Sequence, residues 1–131
     1  MRRIALVVDD SMLIRHTVCR FLEERGFTVE SATNGAEAVE ILSYLTPDVI
    51  ITDMSMPKMN GSELITFIKG RQETAKTPIV VLAAKRSTTE PIREERADAL
   101  IHKDIDIDEQ LEAALQQVLE ESTQLVEPVS K

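Results

Sequence analysis

The chain has 131 residues and a mass of 14.7 kDa, is 43% hydrophobic and 29% charged, and so has room for one domain with an ordinary core but none for a second. Its 23 acidic against 15 basic residues give a net charge of -8 and an isoelectric point near 4.8, which argues against direct nucleic-acid binding. A single cysteine, Cys19, excludes an internal disulfide and a cysteine zinc cluster, and 3% aromatic residues with no Trp leave little from which to build a base-stacking platform.

No targeting segment is expected. The basic start at Met1 is followed by the apolar run Ile4 to Val8, which Asp9 and Asp10 end long before it could serve as a signal-peptide core or membrane span. The chain is therefore expected in the cytoplasm, with no membrane partner.

That run is the first of four short segments rich in Val and Ile. The others are Phe27 to Ala32, Val49 to Ile51 and Ile79 to Ala83, with a weaker fifth at Ala99 to His102. Continuous apolar runs, rather than alternating ones, predict strands buried on both faces, as in a parallel sheet. Between the first two, Met12, Ile14, Val18, Phe21 and Leu22 have helical spacing, with Gly26 as the stop. Asn34 and Glu37 resemble a capping box opening a second helix through Ala38, Ile41, Leu42 and Leu45, ended by Pro47. Leu64, Ile65 and Ile68 mark a third. The nearly all-polar stretch Ser87 to Ala97 allows only a short, poorly anchored fourth. Leu111, Leu115, Val118 and Leu119 mark the last, capped by Asp106 or Asp108. Five alternations of strand and helix predict a doubly wound α/β domain over residues 1–121, with 122–131 a frayed tail or linker stub.

In such a sheet, ligands sit beyond the carboxyl ends of the strands. Asp9 and Asp10 follow the first strand, Asp53 the third and Lys103 the fifth. Taken singly, Asp10 or Ser11 reads as a helix cap and Asp53 as the start of a turn before Pro57. Together they are more than capping requires. Clustered carboxylates raise one another's pKa unless a cation intervenes, and a hard divalent ion such as Mg²⁺ suits a few carboxylates, a carbonyl and waters.

These segments resemble the receiver domain of bacterial two-component response regulators. The resemblance rests on Val7-Val8-Asp9-Asp10-Ser11, on Asp53-Met54-Ser55-Met56-Pro57-Lys58-Met59-Asn60-Gly61, on Ala97-Asp98-Ala99 and on Lys103, in that order over about residues 3 to 121. It implies a flavodoxin-like fold, a five-stranded parallel sheet with about five helices. It also implies that Asp53 accepts a phosphoryl group from a sensor histidine kinase or phosphotransfer protein. Asp9, Asp10, Asp53 and the Ser55 carbonyl would hold Mg²⁺, and Lys103 would contact the phosphoryl group. Such a domain is a signalling module rather than an enzyme, a monomer or weak dimer that acts by contact with a downstream protein.

The chain departs from that pattern where the family relays its signal. Ala83 stands where a Ser or Thr hydroxyl is usual, Leu100 where an aromatic ring is usual, and Asp104 where a proline follows the lysine. Loss of a charge-assisted hydrogen bond at position 83 is worth about 1.5–3 kcal/mol. A second reading is therefore a phosphorylation-independent interaction module with a receiver-like fold. Other residues have plain explanations. Lys85 reads as a solvated loop lysine, Met54, Met56 and Met59 as packing residues, and His16 and His102 are too far apart in sequence for a metal or relay argument. The acidic Asp9-Asp10 pair would repel the phosphate of a flavin carrier, and no Walker loop or dinucleotide glycine fingerprint is present.

Overall fold

A computed structural model of the chain describes residues 3–56, 58–83, 96–103 and 106–126, with side chains in the last helix as far as Leu119. Five strands, β1 (Ile4–Val8), β2 (Thr28–Ala32), β3 (Val49–Asp53), β4 (Ile79–Ala83) and β5 (Ala99–His102), form one parallel sheet in the order β2-β1-β3-β4-β5. Four helices are described: α1 (Met12–Glu24), α2 (Gly35–Leu42), α3 (Gly61–Lys69) and α4 (Ile107–Val126). The short polar helix expected within 87–97 falls almost wholly outside the described residues, as does Lys85.

Why the apolar runs are continuous is visible in the packing. Val49 and Ile51 of β3 face α1 and α4 with Val7, Leu22 and Leu111, whereas Ile50 faces α2 and α3 with Ile41, Leu64 and Ile65. Both sheet faces are dry, so a central strand has no side on which to place polar residues. β2 is the exception. It is an edge strand whose Thr28, Glu30 and Ser31 are exposed, so the expectation of burial on both faces fails there.

Local chemistry sets the helix ends, in places differently from expectation. Asn34 caps α2 through the Glu37 N–H at 2.9 Å, but Glu37 turns to the Thr33 N–H (2.7 Å) and hydroxyl (2.8 Å) and leaves the box half made. The complete capping box is at α3, where Asn60 and Glu63 bond each other's main-chain N–H groups at 2.9 and 3.0 Å. Helix α2 stops at Leu42 rather than Leu45, because the Ser43 hydroxyl takes the Glu40 carbonyl. Asp106 rather than Asp108 caps α4, at 3.3 Å from the Glu109 N–H. That helix runs to Val126, so residues 122–126 are helical where fraying was expected.

One glycine bears on the site. A Cβ at Gly61 would strike the Asp53 carbonyl oxygen and lie 2.7 Å from the Met54 Cα, main-chain atoms that cannot rotate away. The contact is closed by a hydrogen bond from Gly61 N–H to Met54 O at 3.0 Å. Gly61→Ala is therefore expected to destabilise the fold by about 1–3 kcal/mol, as overpacking does. A urea transition unmoved by the substitution would mean that the loop after β3 is looser than described.

Candidate functional site

The three acids meet above the carboxyl ends of β1 and β3. Asp9 directly follows β1 and is fully buried; its N–H donates to Ala32 O at 3.1 Å, which prolongs the pairing with β2 by one residue. Asp53 is itself the last residue of β3, paired in register with Leu82, rather than following the strand as expected. It is 3% exposed. Asp10 is exposed. One carboxylate oxygen from each of Asp9, Asp10 and Asp53 lies within 4.8 Å of the others.

Lys103, just past β5, reaches across the strand ends. Its Nζ stands 2.8 Å from Asp9 Oδ2 and 3.2 Å from Asp53 Oδ1. Because β4 separates β3 from β5, only a long side chain can span that gap. Ser55 lies in the loop beyond Asp53, and its N–H approaches Asp53 Oδ1 at 3.4 Å. Four residues expected at the site, Asp9, Asp10, Asp53 and Lys103, are thus brought together, with the Ser55 main chain at the rim. Met54, Met56 and Met59 pack against the core layer under α2 and α3, in line with their plain reading.

Two further residues hold Asp9: Ser11, expected only as a helix cap and as part of the first motif, and Arg15, which had no part in the sequence-based expectation of the site. The Ser11 N–H donates to Asp9 Oδ1 at 2.8 Å, and Arg15 donates from Nη1 to the Asp9 carbonyl at 2.8 Å. Arg15 lies one helical turn after Ser11, so an arginine in the first turn behind an acidic pair was the available signal.

The electrostatics follow from burial. Desolvation pushes the Asp53 carboxyl above its ordinary range and the charge of Asp9 pushes it further; Lys103 and the Ser55 N–H offset this only in part. One lysine does not balance two buried carboxylates with an exposed third beside them. Asp9 Oδ2 is buried, and its close partner among the described residues is the Lys103 ammonium at 2.8 Å. Three converging carboxylates with a single ammonium among them are the donor set that a hard divalent cation takes.

Ala83 is buried at the end of β4 and offers the site no hydroxyl, although its carbonyl accepts the Lys103 N–H at 2.8 Å. Leu100 is exposed on β5. Asp104 lies outside the described residues. His16 is exposed on α1, far along the chain from His102 on β5, whose Nδ1 is buried without a partner among the described residues.

Comparison with known proteins agrees with this geometry. The chain is 36% identical over 87 residues to the response regulator MprA of Mycobacterium ulcerans, a match covering 66% of this chain and 37% of that protein. It is 35% identical over 79 residues to the Regulator of RpoS of Escherichia coli, covering 60% of this chain and 23% of that one. These matches thus span well under half the length of the curated relatives. Among solved structures, the chemotaxis response regulator CheY4 of Vibrio cholerae superposes with a TM-score of 0.79 at 32% identity, covering 90% of this chain and 99% of the other. The receiver domain of a signal transduction histidine kinase from Syntrophus aciditrophicus gives 0.78 at 28% identity, covering 98% of each. Both share the flavodoxin-like sheet. With residues 5–116 matching the response regulator receiver domain, the five-stranded sheet and its acidic strand ends have one family home: the chain belongs to the response regulator receiver family.

Proposed function

We propose that the chain is a phosphoacceptor module in which Asp53 takes a phosphoryl group from the phosphohistidine of a sensor histidine kinase or phosphotransfer protein. The observation that carries this reading is the Lys103 ammonium held between Asp9 and Asp53, beside a carboxylate cluster with room for a cation. Asp9, Asp10, Asp53 and the Ser55 carbonyl would hold Mg²⁺, which when bound neutralises charge on the incoming phosphoryl oxygens.

The chain's own residues do the rest. A carboxylate oxygen of Asp53 attacks phosphorus, the N–P bond breaks, and its electron pair returns to the imidazole nitrogen, which takes a proton from solvent. Burial makes the Asp53 carboxylate more basic than a free aspartate, and its place at the end of β3 fixes its direction. Lys103 stabilises the transferred group from its place between Asp9 and Asp53. The result is a signalling domain rather than an enzyme, made up of residues 1–121 with the last helix running on to Val126. It works in the cytoplasm as a monomer or weak dimer, through contact with a downstream protein. Among the described residues no helix is long and apolar enough to cross a membrane.

Incubation with acetyl phosphate and Mg²⁺, followed by intact-mass measurement, tests this. The wild type should gain one phosphoryl group and Asp53→Asn none. No gain in the wild type would favour the alternative of a phosphorylation-independent interaction module, which the departures at Ala83, Leu100 and Asp104 support.

A further inference from the structure

β5 is an open edge of the sheet, and its last residues are gripped from both sides. In a strand, consecutive residues turn their main-chain groups alternately toward one neighbour and the other. Lys103 turns inward, its N–H donating to Ala83 O at 2.8 Å. His102 accordingly presents its N–H and C=O to the outer edge, where no strand follows among the described residues. Gln110, from the first turns of α4, takes both. Its Oε1 accepts the His102 N–H at 3.0 Å and its Nε2 donates to the His102 carbonyl at 2.8 Å, with a further contact to Asp106 O at 3.2 Å. A primary amide carries one acceptor and one donor end, so a single side chain does here what a sixth strand would do.

We infer that Gln110 is a positioning residue for Lys103. The lysine stem has several freely rotating bonds, so its ammonium is placed only as well as the backbone beneath it is held. The pairing with Ala83 fixes that backbone from inside the sheet, and the Gln110 clamp fixes the preceding residue from outside. Their joint effect is to aim Nζ at the gap between Asp9 and Asp53. The inference rests on the role proposed above for Lys103, and its test is built to separate the two.

Gln110→Ala removes both bonds without weakening α4, since alanine is the best helix former. Gln110→Glu keeps the acceptor for the His102 N–H but sets a carboxylate against its carbonyl. The first readout is the pair of Lys103 Hε proton signals in the unphosphorylated protein, distinct when the side chain is held and merged when it swings freely. They should be distinct in wild type, merged in Gln110→Ala and intermediate in Gln110→Glu. The second is the rate of labelling by acetyl phosphate, expected to fall about tenfold in Gln110→Ala while Mg²⁺ affinity is unchanged. In a Lys103→Met background the same substitution should cost nothing more, because Gln110 acts through the lysine. Distinct Hε signals in Gln110→Ala would overturn the inference, whatever the labelling. So would labelling at the wild-type rate, an equal slowing in both backgrounds, or a parallel loss of Mg²⁺ affinity. A wild type that never labels would instead defeat the phosphoacceptor reading, and the proton signals would still decide what Gln110 does.

Discussion

Lys103→Met will slow phosphoryl capture at Asp53 about a hundredfold and destabilise the metal-free protein by about 3–5 kcal/mol. Methionine keeps most of the aliphatic stem, so what disappears is the ammonium lying 2.8 Å from Asp9 and 3.2 Å from Asp53. Both carboxylates are buried, and without that cation they face each other through a medium that screens poorly. Burial alone would lower the Lys103 pKa, but the hydrogen bond and charge of Asp9, followed by the charge of Asp53, outweigh it and hold the pKa above its ordinary value. An ammonium whose pKa is raised by folding stabilises the fold at every pH below its unfolded value. That contribution is lost only as pH climbs through the raised value. The wild-type advantage over Lys103→Met will therefore persist across neutral pH and fade only above about pH 10.4. Urea transitions at neutral and alkaline pH measure the stability, and intact mass against time measures the rate. Lys85→Ala is the control. If it costs as much, or if Lys103→Met costs nothing, the pocket cation lies elsewhere.

What could be read from the residues, and what could not, divides along physical lines. The central strands and the helices that cover them came directly from apolar runs and spacing, because burial on both faces leaves a pattern in the chain. Asp9, Asp10, Asp53 and Lys103 were legible for a related reason: each stands at a strand end, and strand ends in such a sheet converge. β2 misled because Val29 and Ala32 suggest a buried run while Glu30 and Ser31 face water, and edge position depends on strand order rather than composition. The two capping motifs, Asn34 with Glu37 and Asn60 with Glu63, are alike in sequence. Only the competing Thr33 spoils the first, a choice that side-chain geometry makes. Gln110 was invisible for a stronger reason. A glutamine four residues after Asp106 looks like any solvated helix position until the edge of β5 is seen beside it.

Asp53→Asn, the substitution that blocks capture, will make the metal-free protein more stable than wild type at neutral pH. The Asp53 pKa is raised chiefly by burial and then by Asp9, with Lys103 and Ser55 unable to cancel the effect. Folding therefore favours the neutral carboxyl over the ionised one. The stabilisation that comes from a neutral Asp53 is complete below its unfolded pKa and is lost as pH rises through the folded value. Once ionised, the wild-type Asp53 carries the cost of a buried charge, and asparagine, of nearly the same shape, carries none. The stability gap should be widest near neutrality and close as pH falls through the raised Asp53 pKa. Mg²⁺ should close it from the other direction, because the wild type offers the ion three carboxylates and the variant two. At about 100 times its dissociation constant the ion adds about 2.7 kcal/mol to the form that binds it, on the order of 10 °C in Tm for a domain of this length. Thermal melts in chelator and in Mg²⁺, at neutral pH and near pH 4, read all four corners. If the wild type proves the more stable protein in chelator at neutral pH, attraction to Lys103 outweighs burial and the repulsion from Asp9. The cluster would then be balanced by its own lysine, and the electrostatic argument for a divalent cation would fall.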